Sequence, residues 1–172
     1  PRRDGYRTYN DSRRIGVGGN LGVRLTDAVT VRLFASYADL GFDVSGPLTM
    51  ALLKSAPRTV FTGPTVTPFG AINPGPNVVR DRPRREATQF QAGARATGAF
   101  GAHVVDLALG YAATDDMFRF PMSAGVRDTD GDDVTLVARY AYKPDADRAL
   151  PLFEATAQYV TGTADRDNYL NL

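Results

Sequence analysis

Four arginines stand within six residues in the stretch Val78-Val79-Arg80-Asp81-Arg82-Pro83-Arg84-Arg85-Glu86. A guanidinium presents a planar fork of donors that matches carboxylates and phosphates. Arg80, Arg82, Arg84 and Arg85 are therefore the candidate substrate-binding residues, and an anionic ligand such as a ferric carboxylate chelate is the chemistry they suit. The bland alternative is a solvated loop whose charge Asp81 and Glu86 partly neutralise. A second stretch, Asp128-Thr129-Asp130-Gly131-Asp132-Asp133, alternates carboxylates around a glycine as calcium loops do, which makes Asp128, Asp130 and Asp132 candidate ligands of a hard cation. It lacks the Glu at loop position 12 and any flanking helix pair, which favours a polar turn with Gly131 at positive φ.

Other chemistry is excluded by what the chain does not contain. His103 is the only histidine and there is no cysteine, so no catalytic dyad, zinc cluster, thiolate nucleophile or disulfide can be assembled. No G-x-S-x-G, P-loop or Rossmann fingerprint occurs, and the glycine-rich run 16–22 lies inside a strand pattern rather than between a strand and a helix. Asp106 and Glu154 fall on different strands, with no spacing that makes them an acid and base pair. The reading is a protein that is not an enzyme and uses no cofactor. Twenty basic residues against nineteen acidic ones leave a formal charge of +1, so no global field argues for nucleic acid. The chain opens at Pro1 without a leader pattern, and no run of about 18 apolar residues is present, which excludes a helical membrane protein.

Six segments alternate with period two and so predict strands. Ile15, Val17, Gly19, Leu21, Val23 and Leu25 share one parity of the first. Val29-Thr30-Val31-Arg32-Leu33-Phe34-Ala35-Ser36-Tyr37 is the second, with Phe34 the exception on its wet side. The third runs over 88–97, the fourth over 105–114, the fifth over 134–143 and the sixth over 153–159. The apolar parity is often Ala, Val and Tyr where a sandwich core would be rich in bulky Ile, Leu and Phe, and the other carries Arg24, Arg32, Arg95 and Arg139.

Connections alternate in length: 26–28, 98–102 and 144–151 are short, whereas 45–86 and 115–133 are long. Segregated turns and loops are the signature of a transmembrane β-barrel. The fold class expected is all-β, an antiparallel up-and-down transmembrane barrel segment of about six strands, with short periplasmic turns and long extracellular loops. The apolar face touches lipid, Tyr37, Tyr111, Tyr140, Tyr142 and Tyr159 contribute to interfacial girdles, and the four arginines face the lumen. The arginine loop then lies outside, where pairing with lipopolysaccharide phosphates belongs to the bland alternative. The Pro- and Gly-rich segment 63–77 suits a compact cover, and 48–56 predicts a two-turn helix with Leu48, Leu52 and Leu53 packed on the loop mass. Passive porin-like or adhesin segments and a soluble β-sandwich binding module remain the alternatives.

Particular words narrow this. DGYRTYNDSRR (4–14), GNLGVRLTD (19–27), VRLFASYADLGFDVSGPLTMALLKSAPR (31–58) and YVTGTADRDNYLNL (159–172) resemble the central barrel region of TonB-dependent outer-membrane receptors. The resemblance implies a 22-stranded barrel with a plug, residence in the cell outer membrane, import of a siderophore-type metal chelate or similar nutrient, and contact with TonB through a plug region outside this chain. Six strands fall short of the eight of the smallest bacterial barrels, so residues 1–172 read as a partial barrel domain.

Overall fold

The alternating segments pair into one antiparallel sheet in the computed structural model, which describes residues 2–63, 65–72, 77–120, 125–145 and 150–169. Its strands are β1 (Arg2–Arg3), β2 (Ser12–Arg24), β3 (Val29–Asp43), β6 (Arg84–Phe100), β7 (His103–Phe120), β8 (Gly125–Tyr142) and β9 (Phe153–Tyr169), each bonded to the next in the order β1-β2-β3-β6-β7-β8-β9. Between β3 and β6 lie helix α1 (Met50–Ser55), the small hairpin β4 (Thr65–Thr67) with β5 (Gly70–Ile72), and helix α2 (Val78–Asp81). The sheet is an open up-and-down meander. No helix among the described residues is long and apolar enough to cross a membrane.

Turn chemistry sets the register. Leu25 donates its N–H to the Val29 carbonyl at 2.9 Å, while the Thr26 hydroxyl accepts from the Ala28 and Val29 amides, closing the β2–β3 turn. Gly101 takes a φ of 60° in the two-residue loop between Phe100 and His103, the left-handed conformation that such loops need. From these turns the pairing runs unbroken to the far ends of the strands. Leu21 therefore stands opposite Leu33, Leu33 opposite Ala94, Ala94 opposite Leu109, Leu109 opposite Leu136 and Leu136 opposite Tyr159. All belong to one face, as the alternation predicts. Phe34, the exception in its strand, lies across Gly93 on the other face: a Cβ added at Gly93 would stand 2.4 Å from Phe34 Cε1.

Three expectations are corrected. The segment 115–133 is not a long loop, because β7 continues to Phe120 and β8 begins at Gly125. The acidic run 128–133 is accordingly strand rather than turn, and Gly131 is extended there, opposite Thr114 and Ala164. Its polar residues alternate faces without any apolar partner parity, which hid the strand from a search for hydrophobic period. Helix α1 forms near its expected place, capped by the Thr49 side chain on the Leu52 amide, but it buries no residue, with Leu52 and Leu53 both exposed.

Among the described residues the sheet has scarcely any core: the buried apolar side chains are Val60, Val78, Pro83 and Ala141. Val60 and Val78 belong to the packed loop between β3 and β6. That loop is gathered by Arg7, whose guanidinium donates to the carbonyls of Thr59 (2.9 Å), Gly46 (2.7 Å) and Ser45 (2.8 Å). Gly46, at a φ of 70°, lets Phe61 and Val78 close to 3.1 Å of where a Cβ would be. The Phe61 carbonyl then accepts from the Val78 amide at 2.8 Å, and the Pro83 carbonyl from the Val44 amide at 2.9 Å.

Arg7→Lys should loosen this loop without disturbing the sheet, since a single ammonium cannot serve three carbonyls in a planar fork. We expect local opening to become easier by about 2 kcal/mol or more. Hydrogen exchange read at Val44, Phe61 and Val78 against the β6–β8 amides checks this, and equal protection in both proteins would refute it.

Candidate functional site

The two faces of the sheet carry different chemistry. On the first, the row through Leu21 and Leu33 is flanked by Val23, Val31, Ala96, Leu107 and Ala138 towards the short turns. In the other direction stand Gly19, Ala35, Ala92, Tyr111 and Val134. These side chains are open: Leu21 is 59% exposed and Leu109 51%. Aromatic rings bound the belt. At the short-turn end His103 meets Tyr140 and Tyr142 with centroids 5.9 and 5.3 Å apart, Tyr140 meets Phe153 at 6.3 Å, and the Tyr140 hydroxyl lies 2.7 Å from His103 Nδ1. At the other edge Phe90 and Tyr111 approach to 6.4 Å.

The belt's upper edge is sharp and slanted. Its last apolar members are Ile15 on β2, Tyr37 on β3, Phe90 on β6, Ala113 on β7, Val134 on β8 and Tyr159 on β9. The next residues outward on that face are Arg13, Asp39, Thr88, Asp115, Asp132 and Thr161. Measured from the Leu21 row, the edge stands six residues up at Ile15 and level with the row at Tyr159. Six residues span about 20 Å along a strand and five interstrand steps about 24 Å across, so the edge is inclined at roughly 40° to the perpendicular of the strands.

The sense of the slant is also determined. Leu25 donates towards β3 and the Tyr142 carbonyl accepts from Leu152. For L-residues these contacts mean that, seen from the apolar face with the short turns below, the sheet runs from β2 on the right to β9 on the left. The belt descends in that direction, as right-handed strand coiling requires of a belt that is level around a barrel with this face outside.

The second face is polar, and its charges pair diagonally across strands. Arg95 holds Asp106 bidentately, through Nε and Nη2 of one guanidinium edge, Thr97 adds its hydroxyl at 3.4 Å, and Arg139 reaches Glu154 at 2.7 Å. Asp106 is only 7% exposed. Counted from their hairpin turns these partners are near neighbours, which is the signal that reading Asp106 and Glu154 strand by strand overlooks. Charge is segregated between the faces. On the strands of the polar face arginines outnumber carboxylates nine to four; on those of the apolar face carboxylates outnumber arginines nine to four. The near-neutral total is the sum of two opposite faces.

The four candidate arginines do not converge. Arg80, on α2, donates to Asp81 at 2.5 and 2.9 Å. Arg82, in the left-handed conformation that ends α2, lies 3.8 Å over the Tyr9 ring and donates to the Val79 carbonyl. Strand alternation then sends Arg84 to the apolar face, where it pairs with Glu86, and Arg85 to the polar face, where it grips Asp116 by two bonds of 2.8 Å. Of the cation candidates, Asp128, Asp130 and Asp132 line one face of extended β8 rather than wrapping a centre. Among the described residues no group of three or more histidine or acidic side chains is arranged to hold a metal ion. No protein-family model matches the chain, and the curated proteins contain no significant match to it.

Asp81 is the buried charge of this region, 5% exposed, and also accepts from the Asn77 amide at 2.9 Å. The Arg80 hydrogen bond holds its carboxyl below the usual range, against the opposing pull of burial. Because the folded value is the lower one, its contribution is complete above the unfolded value of about 3.9 and is lost as pH falls through the folded value. Protection of the Val78–Arg82 amides should therefore fall on acidification below about pH 4, and in Asp81→Asn it should be low at neutral pH and flat with pH. Hydrogen-exchange protection factors measured across this range test it; a wild-type profile without the acid step would refute the assignment.

Proposed function

We propose that this sheet is a sector of a transmembrane β-barrel in an outer membrane, and that the barrel is a receptor of the TonB-dependent type importing a metal chelate or similar scarce nutrient. The observation that carries the barrel reading is the slanted apolar belt. Its incline of roughly 40° is the strand tilt of such barrels, 35–45°. On β6 it extends from Phe90 to Phe100, about 33 Å along the strand and about 25 Å along the membrane normal at that tilt, the height of a barrel's apolar band. Nothing in the folding of an isolated sheet asks its apolar residues to ignore the register and follow a tilted line. A flat lipid slab does.

The near-absence of a core is consistent with the same reading, because the apolar face then has lipid as its solvent and the polar face has the lumen. The described residues hold no second sheet to make a sandwich other than the small β4–β5 hairpin. Receptor type rests on the resemblance in segments 4–14, 19–27, 31–58 and 159–172, and it brings the plug and TonB as partners. On this reading the loop gathered by Arg7 lies on the extracellular side, and the short turns at 25–29 and 101–102 are periplasmic. A passive pore shares the wall and differs in having nothing to couple it to TonB.

Spin labels placed in the intact protein in lipid bilayers test the wall. Labels at Val31, Leu107 and Leu136 should be accessible to a lipid-soluble relaxant and those at Arg32, Asp106 and Arg139 to a water-soluble one. Loss of alternation between the two sets would end the barrel reading, and a water-soluble monomer formed without detergent would favour the sandwich.

A further inference from the structure

On the polar face, Arg32 and Arg95 stand directly opposite each other on β3 and β6. Like charges in that relation destabilise a sheet. The neighbouring carboxylate, Asp106, is taken by Arg95 and Thr97, whereas Arg32 makes no hydrogen bond or ion pair with any described residue. Its other neighbours on this face bring no negative charge: Gly22 is its partner on β2, Arg24 is diagonal to it, and Gly93 and Thr97 are its diagonals on β6. Arg24 is held at the turn, bonding the Thr26 and Asp27 carbonyls and pairing with the exposed Asp27 carboxylate at 3.2 Å. Beside this pair lies a cleft of about 280 Å³ lined by Thr30, Arg32, Arg95 and Thr97. Two cations and two hydroxyls thus border one space with no acceptor of their own for Arg32.

We infer that this cleft binds a small, multiply charged oxyanion of the phosphate or polycarboxylate class. An oxyanion bound there would convert the repulsive pair into a bridged one, with charge-assisted hydrogen bonds from Arg32 and from the Arg95 donors that Asp106 leaves free, and a neutral one from Thr30. Asp106 sets the limit on that attraction, since it already draws on Arg95; Arg32 is the group with unspent donors. The surplus of arginine over carboxylate on this face concentrates anions along the wall that leads to it. The inference deepens the proposed transport role by giving its solute a charge class, and in that respect rests on the barrel reading. It moves the anion from the arginines of segment 80–85, which are engaged within the chain or dispersed, to the inner wall.

The test is thermal unfolding of the intact protein in detergent, with inorganic phosphate titrated against sodium chloride at constant ionic strength. Wild type should gain stability saturably with phosphate. Arg32→Gln should unfold at the same or a higher temperature than wild type in chloride, because it relieves the opposed charges. Its phosphate affinity should be weaker by at least about tenfold, the loss of one charge-assisted contact. Arg166→Gln, which removes an arginine remote from the cleft on the same face, should keep the wild-type response. The inference is overturned if wild type gains nothing beyond chloride, as when a carboxylate from the same polypeptide already fills the cleft, or if Arg32→Gln responds like wild type. A phosphate response lost in Arg32→Gln together with failed label alternation at Val31 and Leu107 would keep the anion cleft and overturn the barrel reading and the transport role alone.

Discussion

Period-two pairing in a fixed register is the constraint on which everything else in this protein depends. One residue of slip in any hairpin would send a strand's leucines to the arginine face and its arginines to the leucine face. The register is held where slip begins, at the Thr26 hydroxyl turn and the positive φ of Gly101. Diagonal ion pairs add a second hold farther up, since Arg95–Asp106, Arg85–Asp116 and Arg139–Glu154 each span adjacent strands and none survives a one-residue shift. Phe34 seated across Gly93 is a further lock, because no residue with a Cβ leaves room for that ring.

Such a sheet trades away the usual source of stability. With both faces open, backbone ladders and cross-strand side-chain contacts are all that its own atoms supply, and among the described residues β9 is bonded to a neighbouring strand along one side only. Packing is confined to the loop between β3 and β6, where one arginine from the N-terminal segment satisfies three carbonyls and two valines are buried. The loop holds the packed contacts while the faces of the wall stay open, an inversion of the ordinary relation between loops and scaffold. It makes physical sense if the wall's solvent on one side is lipid.

Charge follows the same division. Neutrality of the chain conceals a basic wall backing an acidic one, and the two are separated by one sheet thickness. The carboxylates of the apolar face gather above the belt, at Asp115, Asp128, Asp130, Asp165 and Asp167. The arginines of the other face extend alongside the belt as well as above it. A solute near one face therefore meets a field that composition cannot reveal.

The sequence by itself determined the strands over 15–25, 29–40, 88–97, 105–114, 134–143 and 153–159, and which side chains share a face, because alternation is a local property written in every second residue. It determined a helix over 48–56, through Ser45-Gly46-Pro47 before it and Pro57 after it, of which Met50–Ser55 is helical. It did not reveal the strands over 115–133, where both parities are polar and hydrophobic period gives no signal. Nor did it reveal that Arg80, Arg82, Arg84 and Arg85 would disperse, since adjacency in sequence becomes opposition once a strand begins at Arg84. Cross-strand facts were decided only by tertiary structure: the slant of the belt, the Arg95–Asp106 and Arg139–Glu154 pairs, and the opposition of Arg32 and Arg95. Each depends on the register between segments up to 69 residues apart, and that register is fixed by turn geometry and the sum of many weak pairings rather than by any residue that can be read alone.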